Sequence, residues 1–240
     1  MAVKTVNPDP WRTSGDDKRE AVQSMFAEIA PSYDFANSLM SLRFHHRWRA
    51  FAVAQLGLRG GESVLDMCCG TGDFLPPLRR AVGSTGRVTG VDFCAPMLER
   101  AGAKTDASLV LGDGCALPFQ SGQFDAVTVG WGIRNVPDID AAHREICRVL
   151  KPGGRFVSVD MAVPESAFVR PFARFVSLRL LPICGAMLGH KQAYTYLPQS
   201  TETFLSRQEL AESMQRAGFD QACYHDLFMG TICVHVGQKS

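Results

Sequence analysis

The segment Val64-Leu-Asp-Met-Cys-Cys-Gly-Thr-Gly-Asp-Phe74 runs from an apolar stretch through Asp66 into a turn carrying Gly70, Thr71 and Gly72. A glycine turn between a buried strand and a helix presents backbone N–H groups at the carboxyl edge of an open α/β sheet, where ligands bind. Two cofactor chemistries use it, beside the plain alternative of a tight turn. A dinucleotide site asks for G-x-G-x-x-G, but Leu75 stands at the third glycine position, and Asp66 would repel a pyrophosphate. A carboxylate there suits a cation. S-adenosyl-L-methionine carries an ammonium and a sulfonium, and glycines admit its amino-acid end.

Two further acids follow the same logic. Asp92 ends the next apolar run 22 residues after Gly70, close to the ~20-residue spacing at which an acid accepts bonds from ribose hydroxyls. Its other reading is a cap for a helix beginning near Ala95. Asp113, with Gly114 beside it, could accept from an adenine amino group or simply form an Asp-Gly turn. Gly130, after the fourth run, completes the candidate cofactor-binding set. Three acids at three successive strand tips are far more specific than any one.

Those tips require a sheet. Ser63–Asp66, Gly86–Asp92, Ser108–Leu111, Phe124–Val129 and Arg155–Asp160 are short apolar runs, most of them separated by helix-length segments. Strand alternating with helix gives βαβ units, and strands buried on both faces read as continuous apolar runs. Ala222–Phe228 and Thr231–Val236, joined by Met229-Gly230, read as an antiparallel pair. The fold class is therefore α/β, a doubly wound, mostly parallel seven-stranded sheet. One domain spans 1–240: an N-terminal helical cap at 17–56, a cofactor-binding core at 57–160, an inserted helical lid at 161–205, and a C-terminal helix with the antiparallel strands at 206–240. In the cap, Val22, Met25, Phe26 and Ile29 share a helical face, and a second helix runs from about Phe44 to Leu56. In the lid, Phe168, Phe172, Phe175 and Val176 recur at helical spacing with Arg170, Arg174 and Arg179 off the stripe. Such a face would seal the lid onto the core, or serve an apolar ligand at a lipid surface.

Composition sets outer bounds. The 240 residues are 46% hydrophobic and 20% charged, which is globular usage, and a net charge of +1 gives no global field to hold nucleic acid. No apolar run approaches the ~20 residues of a membrane span, and the first twenty residues show no apolar signal core. A cytoplasmic location is expected, with a peripheral place at the inner membrane surface left open. The eight cysteines include no C-x-x-C pair, so they read as reduced thiols, with no metal site expected.

The three acids and the glycine turn resemble class I S-adenosylmethionine-dependent methyltransferases, as does Leu150-Lys-Pro-Gly-Gly-Arg155. Four elements narrow the resemblance to the ubiquinone/menaquinone C-methyltransferase family. They are Phe26-x-x-Ile-Ala-x-x-Tyr33-Asp34-x-x-Asn37, His45-x-x-Trp48, Gly132-Ile-Arg-Asn-Val136 and Tyr194-x-Tyr-Leu-x-x-Ser200. Cys68 and Cys69 stand where that family commonly has small residues, and read as packing. The resemblance implies a Rossmann-like methyltransferase fold and methylation of a ring carbon on a prenylated quinol, most simply demethylmenaquinol. It leaves a homodimer open. Arg134 and Asn135, past the fourth strand, would then lower the pKa of the ring hydroxyl and orient it. His45, Tyr196, Asp160 or a held water are candidate bases. Tyr194 and Tyr196 would point to opposite sides if extended, and His143 and His190 read as surface residues. The alternatives are a methyltransferase for another small apolar acceptor (a phenol, sterol or amine), or a non-catalytic cofactor-binding scaffold.

Overall fold

The computed structural model describes residues 15–187 and 191–240. Its centre is a seven-stranded sheet in the order β3-β2-β1-β4-β5-β7-β6. Strands β1 (Ser63–Met67), β2 (Arg87–Asp92), β3 (Ser108–Leu111), β4 (Phe124–Gly130) and β5 (Leu150–Met161) are parallel. β7 (Ile232–Lys239) runs antiparallel to β5 and to β6 (Phe219–Leu227). Val64 pairs with Val88 on one side and Ala126 on the other, so strand order reverses at β1, the position where open α/β sheets form a ligand crevice.

Burial explains the strand sequences. Val64, Leu65, Asp66 and Met67 are all buried because helices cover both faces of β1. On one face Leu65, Phe124 and Phe156 pack with Ile146 of α6 (Ile139–Val149) and with Leu210 and Met214 of α10 (Arg207–Arg216). On the other, Val64, Val157 and Val234 pack with Leu75 and Leu78 of α4 (Leu75–Val82) and with Ala52 and Val53 of α3 (Phe44–Gln55). Local caps fix the helix starts: Asp138 accepts from the Ala141 N–H at 2.9 Å, and Ser206 and Glu209 form a reciprocal capping box. α5 (Ala95–Gly102) follows β2.

Outside the sheet, α1 (Gly15–Ile29) buries Ala21, Val22, Met25 and Ile29, matching the expected face. A short α2 (Tyr33–Met40), which the sequence pattern did not separate, links it to α3. After β5 come α7 (Val169–Phe175), a π-helical turn (Val176–Leu180), α8 (Leu181–Met187) and α9 (Lys191–Glu202).

Three expectations are corrected. His143 is fully buried on α6, because the helix turns it inward with Ile146; its Nδ1 lies 2.7 Å from Ser213 Oγ, which donates to Asp140 at 2.5 Å. Tyr194 and Tyr196 sit on helix α9 rather than on extended chain, and although two positions on a helix are still about 200° apart, both are buried and both line the same cavity. Arg170 and Arg174 are tied to the protein: Arg170 donates to the Pro164 carbonyl at 2.8 Å, and Arg174 pairs with Glu202 at 3.2 Å. His190 lies outside the described residues.

Candidate active site

At the carboxyl edge of β1–β3 the three acids occupy different environments. Asp66 is 1% exposed, and burial pushes its carboxyl up to about 7 against the opposing hydrogen bond from Thr128 Oγ1 at 2.7 Å. A buried carboxyl in that state gains from a cation beside it, since the charged form is then repaid for lost hydration. Asp92 accepts from the Gly70 N–H at 2.8 Å and the Cys94 N–H at 2.9 Å. It therefore holds the glycine turn and the entry to α5 at once, and each oxygen keeps a second lone pair. Asp113 accepts from the Cys115 N–H at 2.9 Å and pairs with Arg19 of α1 at 3.2 Å.

Gly72 has φ +83°, and a Cβ there would lie 3.0 Å from the Ala101 Cβ, so both backbone and space demand glycine. Thr71 Oγ1 turns away to donate to Asp34 of α2 at 2.6 Å. A narrow cleft of about 30 Å³ runs along this edge, lined by Asp92, Asp113, Gly114, Cys68, Asn135 and Arg19. Asp66, Gly70, Thr71 and Gly72 do not line it. Neither does Gly130, whose missing side chain admits Phe74: a Cβ would meet that ring at 2.4 Å. Cys68, read as packing, does pack against the core and also forms part of the cleft wall, with a left-handed φ of 56°.

Beyond β4 lies a second space of about 290 Å³, walled by Phe26, Trp48, Trp131, Met161, Phe172 and Phe228 among others. Its polar lining includes Tyr33, Asn37, His45, Arg49, Arg134, Tyr194 and Tyr196, with the small hydroxyls of Ser41, Ser177 and Thr231. A mostly apolar cavity with a few convergent polar groups is the usual form of a small-molecule site. The turn Ile133–Asn135 divides the two spaces, for Arg134 lines the cavity and its neighbour Asn135 lines the cleft. Tyr196 Oη donates to Asn135 Oδ1 at 2.8 Å, and Asn135 Nδ2 donates to the Trp131 carbonyl at 3.0 Å.

Arg134 is ion-paired with Asp160 at the end of β5 and also donates to Ser200 Oγ at 3.3 Å. Asp160 does not line the cavity. Burial raises its carboxyl while Arg134 opposes the shift, and its Oδ2 has no hydrogen-bond partner. Burial pushes the Tyr196 hydroxyl up to about 12, so at neutral pH it keeps its proton. His45 is pushed down to about 4, first by burial and then by Arg49 and His46, so it is neutral at pH 7. Its tautomer follows from its neighbours. Ser41 Oγ donates its single hydrogen to the Asn37 carbonyl at 2.6 Å and lies 2.5 Å from His45 Nδ1. With that hydrogen on the carbonyl, Nδ1 carries the ring hydrogen and Nε2 is the acceptor.

The sequence profile of the ubiE/COQ5 methyltransferase family matches residues 13–239. The chain belongs to that family. It is 38% identical over 226 residues to the demethylmenaquinone methyltransferase of Lactiplantibacillus plantarum, covering 91% of this chain and 95% of that one. To the demethylmenaquinone methyltransferase of Staphylococcus aureus it is 39% identical over 227 residues, covering 92% and 94%. Among solved structures, a SAM-dependent methyltransferase from Thermotoga maritima shares the fold, with a TM-score of 0.64 at 20% identity over 91% of this chain and 100% of the other. This ubiE/COQ5 family member is thus an S-adenosyl-L-methionine-dependent methyltransferase with the Rossmann-like fold of its class.

Within this methyltransferase the structure adds residues that spacing did not single out. Arg49, directly after the His45-x-x-Trp48 element, is buried, pairs with Asp73 at 3.2 Å and stacks 4.6 Å over the Trp131 ring. Trp131 holds a left-handed φ of 55°, a strained place for a bulky residue. Both sit in the cavity wall. Only their position beside motif residues signalled them, because contacts between α3 and the β4 tip have no local sequence pattern.

Proposed function

We propose that this methyltransferase alkylates a ring carbon of a prenylated quinol, demethylmenaquinol giving menaquinol, with the glycine-turn edge holding the cofactor and the apolar cavity holding the quinol. The single observation that carries the reading is the cavity itself: a large apolar space at the same sheet edge, containing a buried guanidinium and a neutral histidine. The relatives named as demethylmenaquinone methyltransferases support the choice of quinol.

The residue set on the cofactor side fits S-adenosyl-L-methionine. Asp66, buried outside the present cleft, would be the partner for a cation once the cleft widens, Asp92 and Asp113 present carboxylates to it, and Gly132 lines it where a Cβ would come within 2.4 Å of the Cys68 Cβ. A volume of about 30 Å³ requires Arg19 and α1 to move aside on binding. When bound, the cofactor supplies a methyl group on a positively charged sulfur.

The chain's own residues then have distinct tasks. Arg134 faces the cavity and favours the ionised ring hydroxyl, which makes the ring carbon more nucleophilic. Asp160 sits behind it as a positioning residue. Tyr196, through Asn135, fixes the wall between the two spaces. His45 Nε2 accepts the proton that the ring gives up, since Tyr196 holds its own proton and Asp160 is engaged by Arg134. The apolar wall excludes water, which favours the meeting of an anionic ring and a cationic methyl donor, because charge is lost in the transition state. In this reading residues 161–205 act as the lid that closes the cavity.

The test is methyl transfer from isotopically labelled S-adenosyl-L-methionine to reduced demethylmenaquinone, compared with demethoxyubiquinol and with simple phenols and amines. Label on the naphthoquinol ring carbon is expected. Transfer only to a phenol or amine would move the chain to another acceptor class, and transfer to nothing, with intact cofactor binding, would make it a scaffold.

A further inference from the structure

The cavity opens among apolar side chains that the fold leaves in solvent. Phe172 is 68% exposed, Phe228 51% and Met229 68%, and all three also line the cavity. Their neighbours extend the rim. Leu42, 76% exposed, follows the lining residue Ser41; Phe168, 94% exposed, precedes Val169; and Phe175, 57% exposed, precedes Val176. The rim thus comes from three separate stretches, the α2–α3 turn, α7 and the β6–β7 turn, and α7 buries no residue. Scattered exposed apolar residues are ordinary, but convergence of three stretches on one mouth marks an interaction surface.

Charge says what kind. The chain carries 25 basic and 24 acidic residues, yet residues 35–61 and 166–201 contain no Asp or Glu. Those stretches hold Arg43, Arg47 and Arg179, all exposed, and Arg47 lies 5.5 Å over the Phe44 ring, itself 5.6 Å from that of Phe228. A second copy of the chain docked face to face would set these arginines against each other, while Glu165 and Asp226, the acids close in sequence to Phe168 and Phe228, are already paired with Arg207. Apolar tips flanked by arginines match the boundary between acyl chains and anionic head groups. No helix among the described residues is long and apolar enough to cross a membrane.

We propose that this mouth is a docking face for an anionic bilayer, through which a prenyl tail passes from lipid into the cavity. The inference rests on the reading of the substrate as a prenylated quinol. On docking, Leu42, Phe168 and Phe175 enter the head-group boundary while the arginines meet lipid phosphates, so the quinol ring reaches Arg134 without crossing water.

The double variant Leu42→Asp with Phe168→Asp tests it, because neither residue lines the cavity. The wild-type chain should co-sediment with vesicles of phosphatidylglycerol and phosphatidylcholine, and at least tenfold more weakly with phosphatidylcholine alone. The variant should lose at least tenfold in vesicle binding and in turnover of vesicle-borne long-tailed quinol. Its thermal unfolding and its turnover of a short-tailed quinol in solution should not change. Absence of wild-type vesicle binding, or equal binding by the variant, would overturn the proposal. So would a solution dimer that the same substitutions dissociate, which would give the face to a second copy. If no quinol of any tail length is methylated, the substrate reading fails, while the vesicle measurement still decides the docking face.

Discussion

The cleft beside β1–β3 is walled by strand-end carboxylates and short glycine-bearing turns, whereas the cavity beside β4, β5 and β7 is walled mainly by helices from outside the sheet. Asp92 shows how the first kind of wall works. Its two oxygens take N–H groups from the Gly70 turn at the tip of the neighbouring strand, 22 residues back, and from Cys94, two residues on. Arg134 shows the second. Its guanidinium depends on Asp160 from β5 and on Ser200 from α9, and its backbone carbonyl takes Lys18 Nζ from α1 at 3.0 Å. One region is set by the register of neighbouring strand tips and the other by helices converging from outside the sheet, so damage to them should be read out differently.

The largest effect follows from the second region. Arg134→Ala leaves Asp160 buried without its cation, a change that typically costs about 3–5 kcal/mol of stability, and it should also lower turnover by about a hundredfold, the middle of the usual range for losing such a group. Denaturant unfolding and a methyl-transfer assay read the two losses separately. A stability loss below about 1 kcal/mol, the level of an exposed pair, would show that the wall does not depend on this ion pair. Asp92→Ala should behave differently. Loss of its charge-assisted hydrogen bonds should weaken S-adenosyl-L-methionine by roughly 1.5–3 kcal/mol, or about ten- to a hundredfold, and lower stability by about 1–3 kcal/mol because the Gly70 and Cys94 N–H groups lose their acceptor. Calorimetric titration decides, and unchanged affinity would leave Asp92 as a support of the turn alone.

The same contrast governs what the sequence made legible. Asp66, Asp92, Asp113 and the glycines lie at strand ends, where continuous apolar runs and glycine spacing report position directly, so the parallel core and the strand-tip places of these residues were legible; which of them line the cleft was not, since Asp92, Asp113 and Gly114 do while Asp66, Gly70, Thr71, Gly72 and Gly130 do not. Arg134, Asn135, His45 and Tyr196 were recoverable through a family resemblance, but their contacts were not. Nothing in the chain between Arg134 and Asp160 signals that they pair. Tyr194 and Tyr196 were read as pointing to opposite sides if extended; α9 is a helix, and that both rings reach the cavity is set by the elements packed around α9, which the segment itself does not encode. His143 was misplaced for a related reason: a lone histidine in an amphipathic helix has no sequence mark of facing inward, and only the Ser213 and Asp140 chain beside it shows why it is tolerated there.

A smaller effect separates the regions by pH. Burial holds the Asp66 carboxyl up at about 7 in the cofactor-free chain. A cation bound beside it needs the ionised form, so affinity for S-adenosyl-L-methionine should fall about tenfold per pH unit below 7 and level off above. The matching sign holds for stability: the folded state retains this proton more strongly than the unfolded chain, so the group's contribution to cofactor-free stability declines as pH rises from about 4 towards 7. Titrations at pH 6 and pH 7 on wild type and Asp66→Asn check it. The variant should bind weakly with no slope, and an equal slope in both would assign the pH dependence to another group.

The smallest effect concerns the contact that joins the two kinds of wall. Arg19 belongs to a helix outside the sheet, yet it lines the cleft and pairs with Asp113 at 3.2 Å. The Arg19 side chain is 44% exposed and that of Asp113 23%, and pairs of that kind are worth about 0–1 kcal/mol. Since the cleft must widen before a cofactor enters, Arg19→Ala removes a contact that closes it without touching the acids below. Association of S-adenosyl-L-methionine should therefore quicken about two- to fivefold, the rate counterpart of a pair worth under 1 kcal/mol, with unfolding unchanged. Stopped-flow fluorescence from Trp131 or Trp48 can follow it. An unchanged association rate would mean that α1 moves as a whole, held by Lys18 on the Arg134 and Val136 carbonyls, and Lys18→Met would then be the substitution that opens the cleft.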